Sequence, residues 1–357
     1  MDRELVAPEG KRVRPLLCGY YGEHNLGDDA LLSALLAQLP EGCDPLVTAF
    51  DQGEVEQRLG VRTCARRDFA TVRRALDRCD ALVLGGGSLL QDATSFRSLL
   101  YYAALIISAR LQGKPVLLWG QGLGPLRRRR SRLLVRRLLT LVQASSWRDP
   151  GSAGLAAAWG RPGQLGSDPV WSLATRPWHG QGGPLVLCWR PTQLLEGARW
   201  KPLLEALDAV ASAADREVIW LPFHRDQDRG LLAALQDQGL VPQRLYRRSR
   251  EELVATPEEA MEIFCGSALV LSMRLHGLIV AALAGAPLTA LSYDPKVRAA
   301  ADSLDCSCVD LDEHQDSRNL ERDWLQQLDQ PPQPQKVEGL RRDTAVHGEL
   351  LRRWLGR

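Results

Sequence analysis

The sequence predicts an α/β protein built from two parallel-sheet domains that face a cleft. Three observations lead there. Short apolar runs of four to six residues, closed by Gly or Pro, alternate with longer runs of helical period along most of the chain. Connections between them are short, which favours parallel strands covered by helices. The length of 357 residues suits about two domains, and a Gly/Pro-rich passage from Arg176 to Pro184 divides the chain near its middle. Each half then reads as a Rossmann-like unit: 1–175 first, a linker over 176–184, a second domain over 185–325, and a Pro/Gln-rich segment with a C-terminal helix over 326–357.

Residues 1 to 14 form a polar lead-in with no apolar core of a signal peptide. Leu16 to Tyr21 is the first strand; Gly22 to Gly27 breaks it and a helix runs from Asp28 to Leu39. The turn lacks the G-x-G-x-x-G spacing, and Asp28 and Asp29 in the first helical turn would repel a phosphate. Helix capping is one reading of these acids. The other gives Asn25 and Asp28 or Asp29 a sugar hydroxyl to bind or deprotonate. Ala81 to Leu84 is a buried strand running into Gly85-Gly86-Gly87-Ser88, where three glycines let the backbone approach a ligand or another segment closely. An amphipathic helix from Arg97 to Leu111, a strand from Val116 to Trp119 and a second glycine run, Gly120 to Gly124, follow.

Seven arginines then fall between Arg127 and Arg137 without one acid, on a helix from about Arg132 to Thr140 with leucines on one side. Such a basic amphipathic segment (126–140) suits an anionic membrane face, or simply a solvated helix. No aromatic interleaving supports nucleic acid. Gln143 to Trp147 is a strand with Arg148-Asp149 at its end. In the second half, strands are expected at Leu185 to Trp189, Val218 to Pro222, Ala268 to Leu271 and Leu288 to Leu291, with helices at Lys201 to Ala214, Pro257 to Phe264, Leu278 to Ala284 and Val337 to Leu355.

The stretch that draws the chemistry together is Ser272-Met273-Arg274-Leu275-His276-Gly277, between a strand and a helix. Ligands of open α/β sheets bind at that carboxyl edge, and a helix start adds free N–H groups. Arg274 and His276 there make a site for a small anion; the bland alternative pairs Arg274 with a nearby carboxylate. Arg148 is the same kind of residue, a cation at a strand terminus.

Composition is that of an ordinary soluble protein, 45% apolar and 25% charged with a net charge of +2. The eight cysteines include no C-x-x-C pair, Cys306 and Cys308 being nearest, which fits reduced thiols better than zinc or a disulfide framework. The longest apolar run, Leu99 to Ala109, is too short to span a bilayer. A cytoplasmic protein, peripheral at most to the cytoplasmic membrane, is the expectation.

Taken in order, Gly19-Tyr20-Tyr21-Gly22 with Asn25-x-Gly27-Asp28, Gly85 to Asp92, Arg97 to Tyr102, Gly120-Gln121-Gly122-x-Gly124-Pro125, Arg148-Asp149, Ser167-Asp168-Pro169, Met273 to His276 and Ser292 to Val297 resemble the polysaccharide pyruvyl transferases, specifically the CsaB type. The resemblance spans roughly residues 16 to 300. It implies a GT-B-like fold and transfer of the pyruvyl group of phosphoenolpyruvate to two hydroxyls of one sugar. The product is a cyclic ketal, and phosphate is released. The implied acceptor is a cell-envelope polysaccharide precursor, lipid-linked in this type. No cofactor and no metal are required, phosphoenolpyruvate being a co-substrate.

On that reading Arg148 and Arg274 each hold one anion of the donor. His276 binds the phosphate and supplies a proton as it leaves. Asp28, Asp29 or Asp92 is the base for the first hydroxyl. The expected substrate-binding set adds Leu275, Gly85, Gly86, Gly87, Asn25, Gln121 and Tyr293. The Gly19–Gly22 turn resembles a nucleotide loop but is assigned to acceptor or interdomain contacts. A nucleotide-sugar-dependent GT-B-type glycosyltransferase is the rival within the architecture. A non-catalytic glycan-binding protein is the rival outside it, and the joint presence of Arg148, Arg274 and His276 argues against that.

Overall fold

The computed structural model describes residues 12–93 and 95–356. The expected polar lead-in therefore lies outside the described residues up to position 11. The chain divides into two compact units. Among the described residues, the first comprises those up to Glu23, those from Asp28 to Ser172 and those from Leu340 onward; the second comprises His24–Gly27 and Leu173–Gly339.

The first unit holds a seven-stranded sheet: β1 (Pro15–Tyr21), β2 (Leu46–Ala49), β3 (Arg62–Ala65), β4 (Ala81–Gly85), β5 (Val116–Gln121), β6 (Ala144–Trp147) and β7 (Gln164–Leu165). Every pairing is parallel, in the order β3-β2-β1-β4-β5-β6-β7. The second holds β8 (Leu185–Cys188), β9 (Val218–Trp220), β10 (Ser249–Glu251), β11 (Leu269–Ser272), β12 (Leu288–Ser292) and β13 (Cys308–Asp310). Its order is β10-β9-β8-β11-β12-β13, again all parallel. In each sheet the direction of winding reverses beside the first strand, between β1 and β4 and between β8 and β11. That reversal opens a crevice at the carboxyl ends of those strands. The two parallel-sheet α/β units stand as the fold class expected.

Central strands β4, β5, β8 and β11 are buried along their whole length, as continuous apolar runs flanked by helices must be. The second core is rich in tryptophan: Trp189 lies 5.8 Å from Trp200, 5.5 Å from Trp220 and 6.5 Å from Trp324, ring centre to ring centre. Helix starts follow side-chain caps legible in the sequence. Asp51, Asp68, Ser95, Asp149, Thr256, Asp294 and Asp316 each accept a backbone N–H of the first turn. Pro150, Pro257 and Pro295 occupy the first helical position behind three of them.

The fold adds detail at two places along the chain. The Gly/Pro-rich passage expected as the linker packs on the second unit: His179 N–H donates to the Cys265 carbonyl at 2.9 Å, and the Trp178 indole donates to that of Ser267 at 2.8 Å. A Cβ on Gly180 or Gly183 would meet backbone of Ser267 or Gly266 at 2.3 and 2.0 Å, so these glycines serve close packing. The C-terminal region is also no separate tail. The expected helix from Val337 to Leu355 is two, Pro334–Asp343 and Ala345–Leu355, and the latter buries His347, Leu350, Leu351 and Leu355 in the first unit. His347 Nε2 lies 2.8 Å from the Ser167 carbonyl oxygen.

Candidate functional site

In the first unit, β6 ends at Trp147 and the next residue, Arg148, turns its side chain into the protein at 7% exposure. Its Nη1 donates to Asp168 Oδ2 at 2.8 Å, and its Nη2 donates to Ser88 Oγ at 3.3 Å. Asp168 is equally buried. The backbone N–H of Arg148 also donates to the Gln121 carbonyl at 3.1 Å, which extends the β5–β6 ladder. A Cβ on Gly122 would lie 2.4 Å from Ser88 Oγ and 3.1 Å from Arg148 Nε, so the second glycine run makes room for this cation. Arg148, Ser88 and Asp168 thus meet at the carboxyl ends of β4, β5 and β6.

The triple glycine divides its labour. A Cβ on Gly85 would stand 2.4 Å from both Leu35 Cδ2 and the Tyr21 hydroxyl, and one on Gly86 would stand 2.8 Å from Leu31. Those two let the Leu26–Gln38 helix press on the sheet. Gly87, at φ +70°, has no such neighbour: the nearest side-chain atom to its Cβ position is Asp28 Oδ1 at 3.8 Å. Asp28 and Gly87 therefore lie at ordinary contact distance, whereas Gly85 and Gly86 are taken up by close packing.

Gln121 and Asp92 differ from expectation. Gln121 is buried; its amide donates to the carbonyls of Leu84 (3.3 Å) and Gly86 (2.7 Å) and accepts from Leu89 N–H (3.4 Å). It holds the glycine loop and offers no amide to a substrate. Asp92 accepts the N–H groups of Arg127 (2.7 Å) and Arg128 (2.9 Å), just ahead of the Arg129–Leu138 helix. Burial opposes its charge, yet the Ser131 hydroxyl and these two N–H groups outweigh it and hold the carboxyl below its usual range. Each oxygen accepts one of these bonds, so Asp92 serves as a strut for the arginine-rich segment. Asp29 is buried against Arg58 at 3.0 Å, and burial pushes its carboxyl up to about 7, against the pull of Arg58. Asp28, half-buried, is the acid next to Gly87.

In the second unit, Arg274 sits at the N-cap of the Leu275–Leu283 helix, two residues after the end of β11, and places no side-chain cap on it. Ser272 fixes the turn, with its hydroxyl donating to the Arg274 carbonyl at 2.8 Å and accepting the Arg274 N–H at 3.2 Å. A Cβ on Gly277 would meet Ser272 Oγ at 2.8 Å and Cys188 Cβ at 3.2 Å, so this glycine lets the helix start approach the end of β8. A Cβ on Gly27 would lie 2.2 Å from His276 Nδ1, which seats the imidazole against the Asn25–Gly27 turn. That turn is closed by Gly27 N–H donating to Asn25 Oδ1 at 3.1 Å, and Leu26 N–H donates to the Phe223 carbonyl at 3.0 Å. Leu275 and His276 are both half-buried beside it.

Arg274 forms the ion pair that the bland alternative describes. Its Nε donates to Asp228 Oδ2 at 3.0 Å, its Nη2 donates to Asp228 Oδ1, and Nη2 also reaches Gln227 Oε1 at 3.2 Å. Asp228 is fully buried at its side chain and accepts His224 N–H as well, at 2.8 Å. The guanidinium is thereby oriented, and its charge is balanced. Tyr293, after β12, accepts from Arg190 Nη1 at 3.1 Å, with the Arg190 guanidinium 5.0 Å from its ring centre.

Asp228, Gln227, His224 and Arg190 were missed by sequence reasoning. Arg190 was findable, because it follows the Leu185 strand just as Arg148 and Arg274 follow theirs. Asp228 carried no signal, since only folding brings it across 46 positions to Arg274.

Residues 25–295 match the family described as polysaccharide pyruvyl transferase. No curated protein matches the chain. Solved structures share its fold at low identity. A protein assigned as a UDP-N-acetylglucosamine 2-epimerase from Listeria monocytogenes aligns with TM-score 0.64 and 13% identity over 95% of both chains. The UDP-GlcNAc 2-epimerase of Methanocaldococcus jannaschii aligns with TM-score 0.61 and 10% identity, over 95% of this chain and 99% of that one. Anabaena HepE, solved with UDP-glucose, aligns with TM-score 0.59 and 12% identity, over 95% and 98%.

Proposed function

The chain belongs to the polysaccharide pyruvyl transferase family, and we propose that it moves the pyruvyl group of phosphoenolpyruvate onto two hydroxyls of one sugar in a cell-envelope glycan precursor, as the CsaB type does. The observation that carries this reading is the start of the Leu275–Leu283 helix. It has no side-chain cap, lies at the switch point of the second sheet, and carries Arg274 oriented by Asp228 with His276 one turn-position on. A helix start of that kind binds phosphate or carboxylate. Phosphoenolpyruvate has both.

The reaction balances on two hydroxyl protons. C3 of the enol gains one proton and becomes a methyl group, which leaves C2 electron-poor. The first sugar hydroxyl adds to C2 and loses its proton to a carboxylate, for which Asp28 beside Gly87 is the candidate. The C2–O bond to phosphate breaks with its electron pair, and His276 protonates the departing phosphate. The second hydroxyl closes the ring and surrenders the second proton. Arg148, buried with Ser88 and Asp168, is assigned to binding in the first unit.

The acceptor we propose is lipid-linked. Among the described residues no helix is long and apolar enough to cross a membrane. The Arg129–Leu138 helix instead exposes most of its arginines together with Leu133 (56%). The Phe96–Leu111 helix beside it exposes Leu100, Ile107 and Leu111 along one face. A basic surface with protruding apolar side chains suits peripheral contact with the anionic inner face of the cytoplasmic membrane. Equal co-sedimentation with neutral and anionic vesicles would count against that contact.

Calorimetric titration with phosphoenolpyruvate, repeated with UDP-glucose, tests the donor. Binding of phosphoenolpyruvate with no heat from UDP-glucose is the expected result. The reverse would replace the pyruvyl donor with a nucleotide sugar.

A further inference from the structure

We propose that Arg190 and His224 complete the anion site of the second unit, Arg190 supplying its net positive charge and His224 an imidazole hydrogen bond to the bound phosphate. The inference rests on the reading that this unit binds phosphoenolpyruvate.

Three strands that are neighbours in the sheet, β9, β8 and β11, are followed by His224, Arg190 and Arg274 respectively. The charge of Arg274 is balanced by Asp228. An anion attracted to that pair alone would meet a neutral group. Arg190 forms no ion pair among the described residues. Tyr293 holds its guanidinium by a hydrogen bond at 3.1 Å and a ring face at 5.0 Å, so the cation is oriented without being neutralised.

His224 supplies the second observation. It is 6% exposed, and neither ring nitrogen has a hydrogen-bond partner. Buried polar atoms are rarely left so, because the water they lost is not replaced. The ring is held in place from its backbone: its N–H donates to Asp228, and the flanking Arg225 N–H donates to the His24 carbonyl at 2.9 Å. Asp228 thus fixes Arg274 through its side chain and His224 through its main chain. Burial first, and then the charge of Arg274, lower the pKa of the imidazole, with Arg190 adding to that and Asp228 and Asp226 opposing it. A neutral ring keeps one N–H to donate to a phosphate oxygen. Arg190, His224 and the uncapped start at Leu275 then present donors from three separate elements, as a tetrahedral phosphate with several oxygens requires.

The test is calorimetric titration of the full chain with phosphoenolpyruvate, comparing wild type, Arg190→Ala, Arg190→Lys, His224→Phe and the surface control Arg248→Ala. Thermal melts report whether each variant folds. Arg190→Ala and His224→Phe are each expected to weaken binding about 10- to 100-fold, the worth of a hydrogen bond to a charged group. Arg190→Lys should recover part of the loss, and Arg248→Ala should bind as wild type does. Inorganic phosphate should compete in wild type and lose its effect in the two weakened variants. Wild-type binding that persists unchanged in folded Arg190→Ala and His224→Phe overturns this proposal alone. Absence of binding by the wild type overturns the donor reading and this proposal with it.

Discussion

Replacing Asp228 with Asn tests the central ion pair of the second unit. Asp228 has no exposed side-chain surface, and Arg274 has 13%. The carboxylate accepts three hydrogen bonds: from His224 N–H, from Arg274 Nε and from Arg274 Nη2. Asparagine keeps the shape but has one acceptor oxygen, so its amide N–H₂ must face either the guanidinium or the His224 N–H. Breaking a buried pair on one side costs about 3–5 kcal/mol, because the remaining charge has lost its compensation. Against a domain stability of about 5–15 kcal/mol this is a large share. For a unit of this size each kcal/mol moves the midpoint by about 2–4 °C, so a fall of about 6–20 °C is expected. Differential scanning calorimetry of wild type and variant reads it directly. The double variant Asp228→Asn with Arg274→Met should regain much of the loss, because no charge is then stranded. A fall under about 2 °C would refute the reasoning. So would a double variant no more stable than Asp228→Asn. Solvent would then be screening Arg274, and its orientation would have another source.

Further predictions concern the neighbouring residues. Gly27→Ala puts a methyl group 2.2 Å from His276 Nδ1, so the imidazole must move; turnover should drop while the melting curve holds, and unchanged turnover would separate His276 from the chemistry. Asp92→Asn should destabilise the first unit by about 1 kcal/mol, as lost caps do, with turnover nearly intact. Abolished turnover in a folded Asp92→Asn protein would restore Asp92 as the base. Asp29 governs a pH term. Its carboxyl, near 7 when folded and about 3.9 when unfolded, holds a proton that the unfolded chain releases in between. Its contribution to stability therefore declines as pH rises from about 4 to about 7 and is level outside that window. Asp29→Asn removes this component, so parallel stability–pH curves for variant and wild type would contradict the assignment.

The sequence by itself determined the elements and their class. Apolar runs such as Leu82–Leu84 and Leu269–Leu271, short and bounded by turn residues, favour buried strands, and their alternation with capped helices favours parallel sheets. It also placed Arg148, Arg274 and His276 at strand ends, because position along an element is a local property. Short strands toward the sheet edge were less legible: β2 and β3, four residues each, lack a long apolar run, and β3 at the edge is partly exposed. Only the tertiary structure decided which charges remain available. Arg148 and Arg274 look alike on the page, as do Arg190 and the other arginines, until folding sets Asp168 and Asp228 against the first two and Tyr293 against the third. Asp92 and Gln121 likewise receive from the fold bonds that brace the arginine-rich segment and the glycine loop. What a polar side chain can do depends on which hydrogen bonds the fold has already given it, and those partners come from distant positions that no local pattern records.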